Sequence, residues 1–202
     1  MSRVLMAALA ALAATPALAQ TAAPPAGQTL GGPMIPSLCL MSKETVIATS
    51  KVGLAASARL KVVTDQAQAE INADHAPLEA EAQSLQAQQS KLTQPQLQQR
   101  AEALQTRLAA VQQKADLRKR EVEATREKAL NRIAQEAQPV IVQVYKAHNC
   151  GLLIDRDSVL GGNMGGDLTA EVIKGLDAKI ATITFERESL AQAGAAPAPA
   201  AR

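Results

Sequence analysis

Two helix-forming stretches, about Gly53 to Leu92 and about Gln96 to His148, are separated only by the breaker Leu92-Thr93-Gln94-Pro95. In the first, Ile71, Leu78, Leu85 and Leu92 recur every seven residues, with Ala67 and Ala82 near the same face. In the second, Leu97, Ala101, Leu104, Leu108, Val111 and Ala115 follow the alternating four-three spacing of a coiled-coil seam. The 202 residues include one Phe, one Tyr and no Trp, so such a stretch has almost no aromatic side chains with which to close a globule around itself. It must fold back as an antiparallel hairpin or pack on other chains. Arms of roughly 40 to 50 residues should reach on the order of 60–75 Å at 1.5 Å per residue.

The apolar stripe is narrow near the breaker and widens through Val122, Ile133, Ala137, Val140, Ile141 and Val144. A tip near residues 92–96 can therefore stand in solvent while the base packs on something larger. Glutamine is frequent from Gln83 to Gln113. It forms helix well and stays soluble without charge. From Asp65 to Leu92 there are five acidic residues and one basic; from Lys114 to Arg132 there are seven basic and four acidic. Complementary faces on two antiparallel helices account for this asymmetry better than a polyanion-binding patch. Pro77 and Pro139 fall inside the two arms as candidate hinges. Each removes a backbone donor and should kink its helix, and both a flexing bend and a fixed kink fit the sequence.

Residues 1–19 read as a secretory signal: Arg3, an apolar run from Val4 to Ala14, and a cleavage site at Ala17-Leu18-Ala19. Residues 20–36, with Pro24, Pro25, Pro33 and Pro36, read as a flexible linker, and residues 189–202 as an Ala/Pro tail. Cleavage after Ala19 removes one of 21 basic residues against 19 acidic ones, leaving a net charge of about +1. That balance argues against nucleic acid as a partner.

Between linker and tail, a body is expected from residues 37–52 and 149–188, flanking the arms at 53–148. Short apolar runs at Leu38-Cys39-Leu40-Met41 and Leu152-Leu153-Ile154, followed by Ser158-Val159-Leu160, read as strand pieces. Asn149-Cys150-Gly151 should end the long helix, and Thr169 is placed to N-cap a short helix over Ala170 to Ile180. Cys39 and Cys150 are either one disulfide or two buried thiols. The loop Gly161-Gly-Asn-Met-Gly-Gly166 lacks the lysine-serine ending of a phosphate cradle, and His75 and His148 have no catalytic or zinc motif around them. No enzyme, cofactor or metal is expected. Three short strands alone make a sheet with open edges and little to cover them, so the sequence asks for an oligomer.

These pieces resemble the Skp, or OmpH, family of periplasmic chaperones. The resemblance is carried by Leu38 to Ser42, by Gly151 to Leu160 and by Asp167-Leu-Thr-Ala-Glu-Val-Ile-Lys174, and it covers roughly residues 37 to 180. It implies a mostly α chain with a small β body, in which strands of three subunits close a barrel (Leu38, Leu40, Leu152, Leu153, Ile154, Val159) and helical arms project from it. It also implies an ATP-independent holdase in the periplasm of a Gram-negative bacterium that encloses unfolded outer-membrane β-barrel proteins. The family is often strongly basic and associates with membrane or lipopolysaccharide surfaces; this near-neutral chain has no basic cluster to carry such association beyond a weak one. The competing reading is a periplasmic spacer or adaptor that docks a partner through the hairpin tip.

Overall fold

The computed structural model describes residues 30–191. The signal at 1–19, most of the linker and the tail from 192 onward lie outside them. Strand β1 (Leu38–Met41) leads into a short helix α1 (Lys43–Thr49), then the first arm α2 (Lys51–Gln88). A 3₁₀ turn at Gln89–Lys91 reverses the chain into α3 (Gln94–Ala147), followed by β2 (Leu152–Asp155), a second 3₁₀ turn at Arg156–Ser158, and α4 (Thr169–Lys179).

The hairpin turns where the breaker predicts. Thr93 precedes α3 in extended conformation (ψ 155°), Pro95 sits in the first turn, and the Thr93 N–H donates to the Gln96 side-chain oxygen at 3.1 Å. The far end of α3 closes on Asn149, which adopts a left-handed φ of 52°. The Cys150 N–H donates to the Tyr145 carbonyl and the Asn149 N–H to that of Lys146, both at 3.1 Å. This pair of bonds absorbs carbonyls the helix would leave unpaired, with Asn in the place glycine usually takes. At 38 and 54 residues, the arms are about 57 and 81 Å long at 1.5 Å per residue. The second is longer because its last turns enter the body. Pro77 and Pro139 are exposed and lie within helices that continue through them.

The body core is one cluster: Cys39 and Met41 from β1, Val46 from α1, Val52 and Ala56 from α2, Ile133 to Val144 from α3, and Leu168, Val172 and Leu176 beside them. Ser50 ends α1 and caps α2, its hydroxyl accepting from the Gly53 N–H at 3.2 Å. Gly53 is required there: a Cβ on it would lie 1.6 Å from the Ile47 carbonyl oxygen. β1 and β2 pair in parallel, Leu38 opposite Leu152 through Met41 opposite Asp155.

The third strand expected at Ser158–Leu160 is not formed. Residues 156–158 make a 3₁₀ turn, and Leu160 is fully exposed. The other edge of β1 is instead met by the glycine loop: the Leu40 N–H donates to the Gly166 carbonyl and the Leu168 N–H to that of Leu40, both at 2.9 Å. Glycine permits this approach, since a Cβ at 166 would fall 2.6 Å from the Leu38 carbonyl oxygen. Thr169 likewise is not the N-cap. It is the first residue of α4, its N–H donates to the Asp167 carboxylate at 2.9 Å, and its hydroxyl oxygen accepts from the Ser42 N–H at 3.0 Å. Leu168 stands at the N-cap position without a side-chain cap bond, the Asp167 carboxylate before it takes the first helical N–H, and Thr169 is turned inward to satisfy a buried donor of β1's end.

Candidate functional site

Three surfaces stand out. The first is the outer side of the body. Leu40 is buried, while Leu38, Leu153, Ile154 and Val159 are half-buried and Leu152 is 55% exposed. Met34, Ile35 and Leu160 are also exposed, and a shallow cavity of about 440 Å³ is lined by Met34, Leu38, Leu40, Ile154, Val159 and the glycine loop. A sheet of two four-residue strands with apolar side chains in water is unfinished by itself. A disulfide joins Cys39 and Cys150, with Cα atoms 5.8 Å apart, and ties the entry of the first arm to the exit of the second.

Polar bonds fix the same region from within. Arg156 donates to Asp167 at 2.9 Å and to the Thr45 hydroxyl at 3.1 Å, and the Ser42 hydroxyl donates to Asp157 at 2.5 Å. Burial pushes the Asp167 carboxyl up, but hydrogen bonds from Thr169 and Arg156 outweigh it and hold it below the usual carboxylate range.

The arms are the second surface. Leu78 and Leu104 are buried; Ile71, Leu85, Leu92, Leu97, Leu108 and Val111 are half-buried, so the seam brings them together without enclosing them. Around it run ion pairs from arm to arm: Arg107 with Glu81, Lys114 with Asp74, and Arg118 with Glu70 at 2.7 Å. Part of the charge asymmetry in the sequence is thus spent between the arms, while Asp65 and Glu79 pair within α2 and Arg132 within α3. His75 pairs with Glu79 at 3.2 Å, and His148 meets Glu171 of α4 at 2.6 Å, a partner its sequence neighbours do not reveal.

The third surface was not legible as a site. Residues 181–188, expected within the body, and 189–190, expected as the start of the tail, run together as a strap along the base of the hairpin. Arg59 of α2 donates to the Phe185 carbonyl at 3.1 Å, the Glu188 N–H donates to Thr125 at 2.8 Å, and the Leu190 N–H donates to Glu121 at 3.2 Å. Arg187 reaches Glu70 at 2.9 Å and Glu121 at 3.3 Å, and Arg118 joins both carboxylates at 2.7 Å. The guanidinium groups of Arg187 and Arg118 hold the Glu70 carboxyl below its usual range. Two signals point to this surface in retrospect. The strap carries period-2 alternation at Thr182-Ile183-Thr184-Phe185-Glu186. Along α3, the buried positions Leu117, Glu121, Thr125, Ala129, Ile133 and Ala137 step by four. Each step turns the buried face by about 40°, so α3 rotates from facing α2 alone to being covered on a second side.

Among the described residues, no cluster of His, Cys, Asp or Glu could hold a metal, and no helix is long and apolar enough to cross a membrane.

Comparison with known proteins places this geometry. The family described as outer membrane protein (OmpH-like) matches residues 38–176. A crystal structure from Caulobacter crescentus CB15, described as an OmpH-like outer membrane chaperone, is 42% identical with a TM-score of 0.71, covering 80% of this chain and 95% of that one. No curated protein matches the chain.

Proposed function

This chain belongs to the OmpH-like outer membrane protein family, and on that footing we propose that it is an ATP-independent holdase. It acts in the periplasm of a Gram-negative bacterium and keeps unfolded outer-membrane β-barrel proteins from aggregating. The active form is a homotrimer in which the unfinished sheets of three bodies complete a barrel and three hairpins enclose a cavity.

The observation that carries this reading is the contrast between an apolar, edge-exposed body and arms that spend little apolar surface on each other. Leu152, Met34 and Ile35 stand in water on the body, where burial by neighbouring subunits would stabilise by about 25 cal/mol per Å². The arms offer many separate half-covered leucines and solvated polar groups. An unfolded barrel strand carries alternating apolar residues that would otherwise pair with a second copy. Weak contacts spread along flexible arms hold it without imposing one conformation, so release needs a better destination and no fuel.

Native mass spectrometry of residues 20–202, mixed with a urea-unfolded outer-membrane barrel protein just diluted from denaturant, tests the reading. The expected species is a trimer carrying one client. A trimer that ignores the client moves the function to a spacer, and a client-binding monomer removes the cage.

A further inference from the structure

The strap and the groove it fills carry a second reading. Ile183-Thr184-Phe185-Glu186 alternates between half-covered and exposed as a strand does, yet among the described residues it pairs with no strand. What grips it are side chains of the arms, and they grip its backbone: Arg59 on the Phe185 carbonyl, Thr125 on the Glu188 N–H, Glu121 on the Leu190 N–H. Bonds of this kind are blind to the identity of the side chains they hold.

The arm residues are costly choices if helix packing were their whole purpose. Thr125 and Glu121 are 1% and 2% exposed and stand in the stripe where Leu117, Ala129 and Ile133 are apolar. Within α3 the Thr125 hydroxyl donates to the Glu121 carbonyl at 2.6 Å and Glu121 Oε2 accepts from Arg118 at 2.7 Å. Glu121 Oε1 and the Thr125 lone pair are left to the strap's amides, and a buried polar atom destabilises by roughly 1–3 kcal/mol unless partnered. Phe185 and Ile183 are only half-covered, in an open groove of about 880 Å³ beside Ala129, Arg132 and Gln135. Two of the strap's other ties, Arg59 to Glu186 and Lys128 to Glu188, lie at the exposed rim, where such pairs contribute little. The third, Arg187 to Glu70 and Glu121, is part-buried and is the tie a displacing chain must break. It is seated, but displaceable.

We propose that this groove is a receptor for the backbone of an extended chain with alternating apolar and polar residues, and that the protein's own strap occupies it until a segment of an unfolded barrel protein takes its place. The receptor stands on the geometry; the identity of its occupant rests on the holdase reading. Because the strap is tethered, it competes at an effective concentration of order millimolar. Short stray peptides are thereby excluded, and a long client that touches several arms at once prevails.

Two probes separate the two layers, both on full-length mature chain. The first is a fluorescent peptide of residues 180–190. Phe185→Ser loosens the strap, so the peptide should bind this variant at least about fivefold more tightly than the unaltered chain, following the fraction of vacated groove. Adding Thr125→Val should abolish that gain. Equal peptide binding by F185S and the unaltered chain overturns the receptor. Helical circular dichroism checks folding, and Arg187→Gln, which removes the strap's part-buried pairs with Glu70 and Glu121, serves as the second variant if F185S unfolds. The second probe is the urea-unfolded barrel protein, with hydrogen exchange read at the Glu188 and Leu190 amides of the unaltered chain. Their protection should fall when the client binds. Bound client with both amides still protected overturns the strap's displacement while leaving the holdase intact. Peptide binding without any client binding overturns the holdase and, with it, the named occupant.

Discussion

The body and the arms are built from the same few aliphatic residues and behave as opposite materials. In the body, Ile133, Val172 and Leu176 are fully buried in one continuous cluster, crossed by a disulfide, by capping bonds from Ser42 and Ser50, and by the bond from the Thr169 N–H to Asp167. In the arms, burial continues through Val63, Ala67 and Leu117 near the base, but farther out only Leu78 and Leu104 are buried, on a seam otherwise half-covered. A continuous cluster resists local opening because each side chain's loss exposes its neighbours; a seam two residues wide opens in pieces. Rigidity is concentrated where subunits would meet, and compliance where a client would be held.

The sharpest way to break this comparison is to cut the body's covalent tie. Cys39 and Cys150 are 111 residues apart in sequence, so Cys39→Ala with Cys150→Ala should cost about 3–4 kcal/mol by freeing that loop in the unfolded chain. Urea melts read at 222 nm, with and without reductant for the unaltered chain, check it. Leu176→Ala in the body should cost about 3 kcal/mol, because the packed helices around it cannot collapse into the space. Leu78→Ala, at a site equally buried, should cost about half as much, since two helices alone can close the gap. Equal losses at the two sites would erase the distinction between body and arm.

A smaller effect is expected from pH. Asp167 and Glu70 have carboxyls held below their usual range when folded. Their stabilisation is therefore complete above the unfolded value of about 4, and is lost as pH falls through the lower folded values. Melting temperature should hold level from pH 7 to 5 and drop below about pH 4. Asp167→Asn should flatten the drop in the body, and Glu70→Gln should mobilise the strap, read as faster exchange at the Glu188 amide. Smallest of all, Lys114→Ala removes an exposed arm-to-arm pair with Asp74 and should change stability by no more than about 0.5 kcal/mol.

The helical architecture was readable because its signals are local. The breaker at Leu92 to Pro95, the stop at Asn149 and the charge asymmetry each act within a few residues or along one face, and the helices begin, end and face each other accordingly. What was misread lay where one residue had two offers. Thr169 has the chemistry of a cap, but a backbone donor 127 residues away claimed its hydroxyl, and Leu168 fell at the cap position with Asp167 before it holding the first helical N–H. Val159-Leu160 has the composition of a strand, but the glycine loop, able to come closer, filled the edge of β1 first.

By itself the sequence determined the hairpin, its length and its turn, since a helix satisfies each backbone bond within four residues. Only the tertiary structure decided that Leu38 lies beside Leu152, that Thr169 turns its hydroxyl to Ser42, and that Phe185 to Leu190 lie against Arg59, Glu121 and Thr125. Strand pairing and strap seating join residues 63 to 126 positions apart. Nothing in the local alternation of either segment names its partner, because backbone hydrogen bonding is the same for every sequence that can be extended.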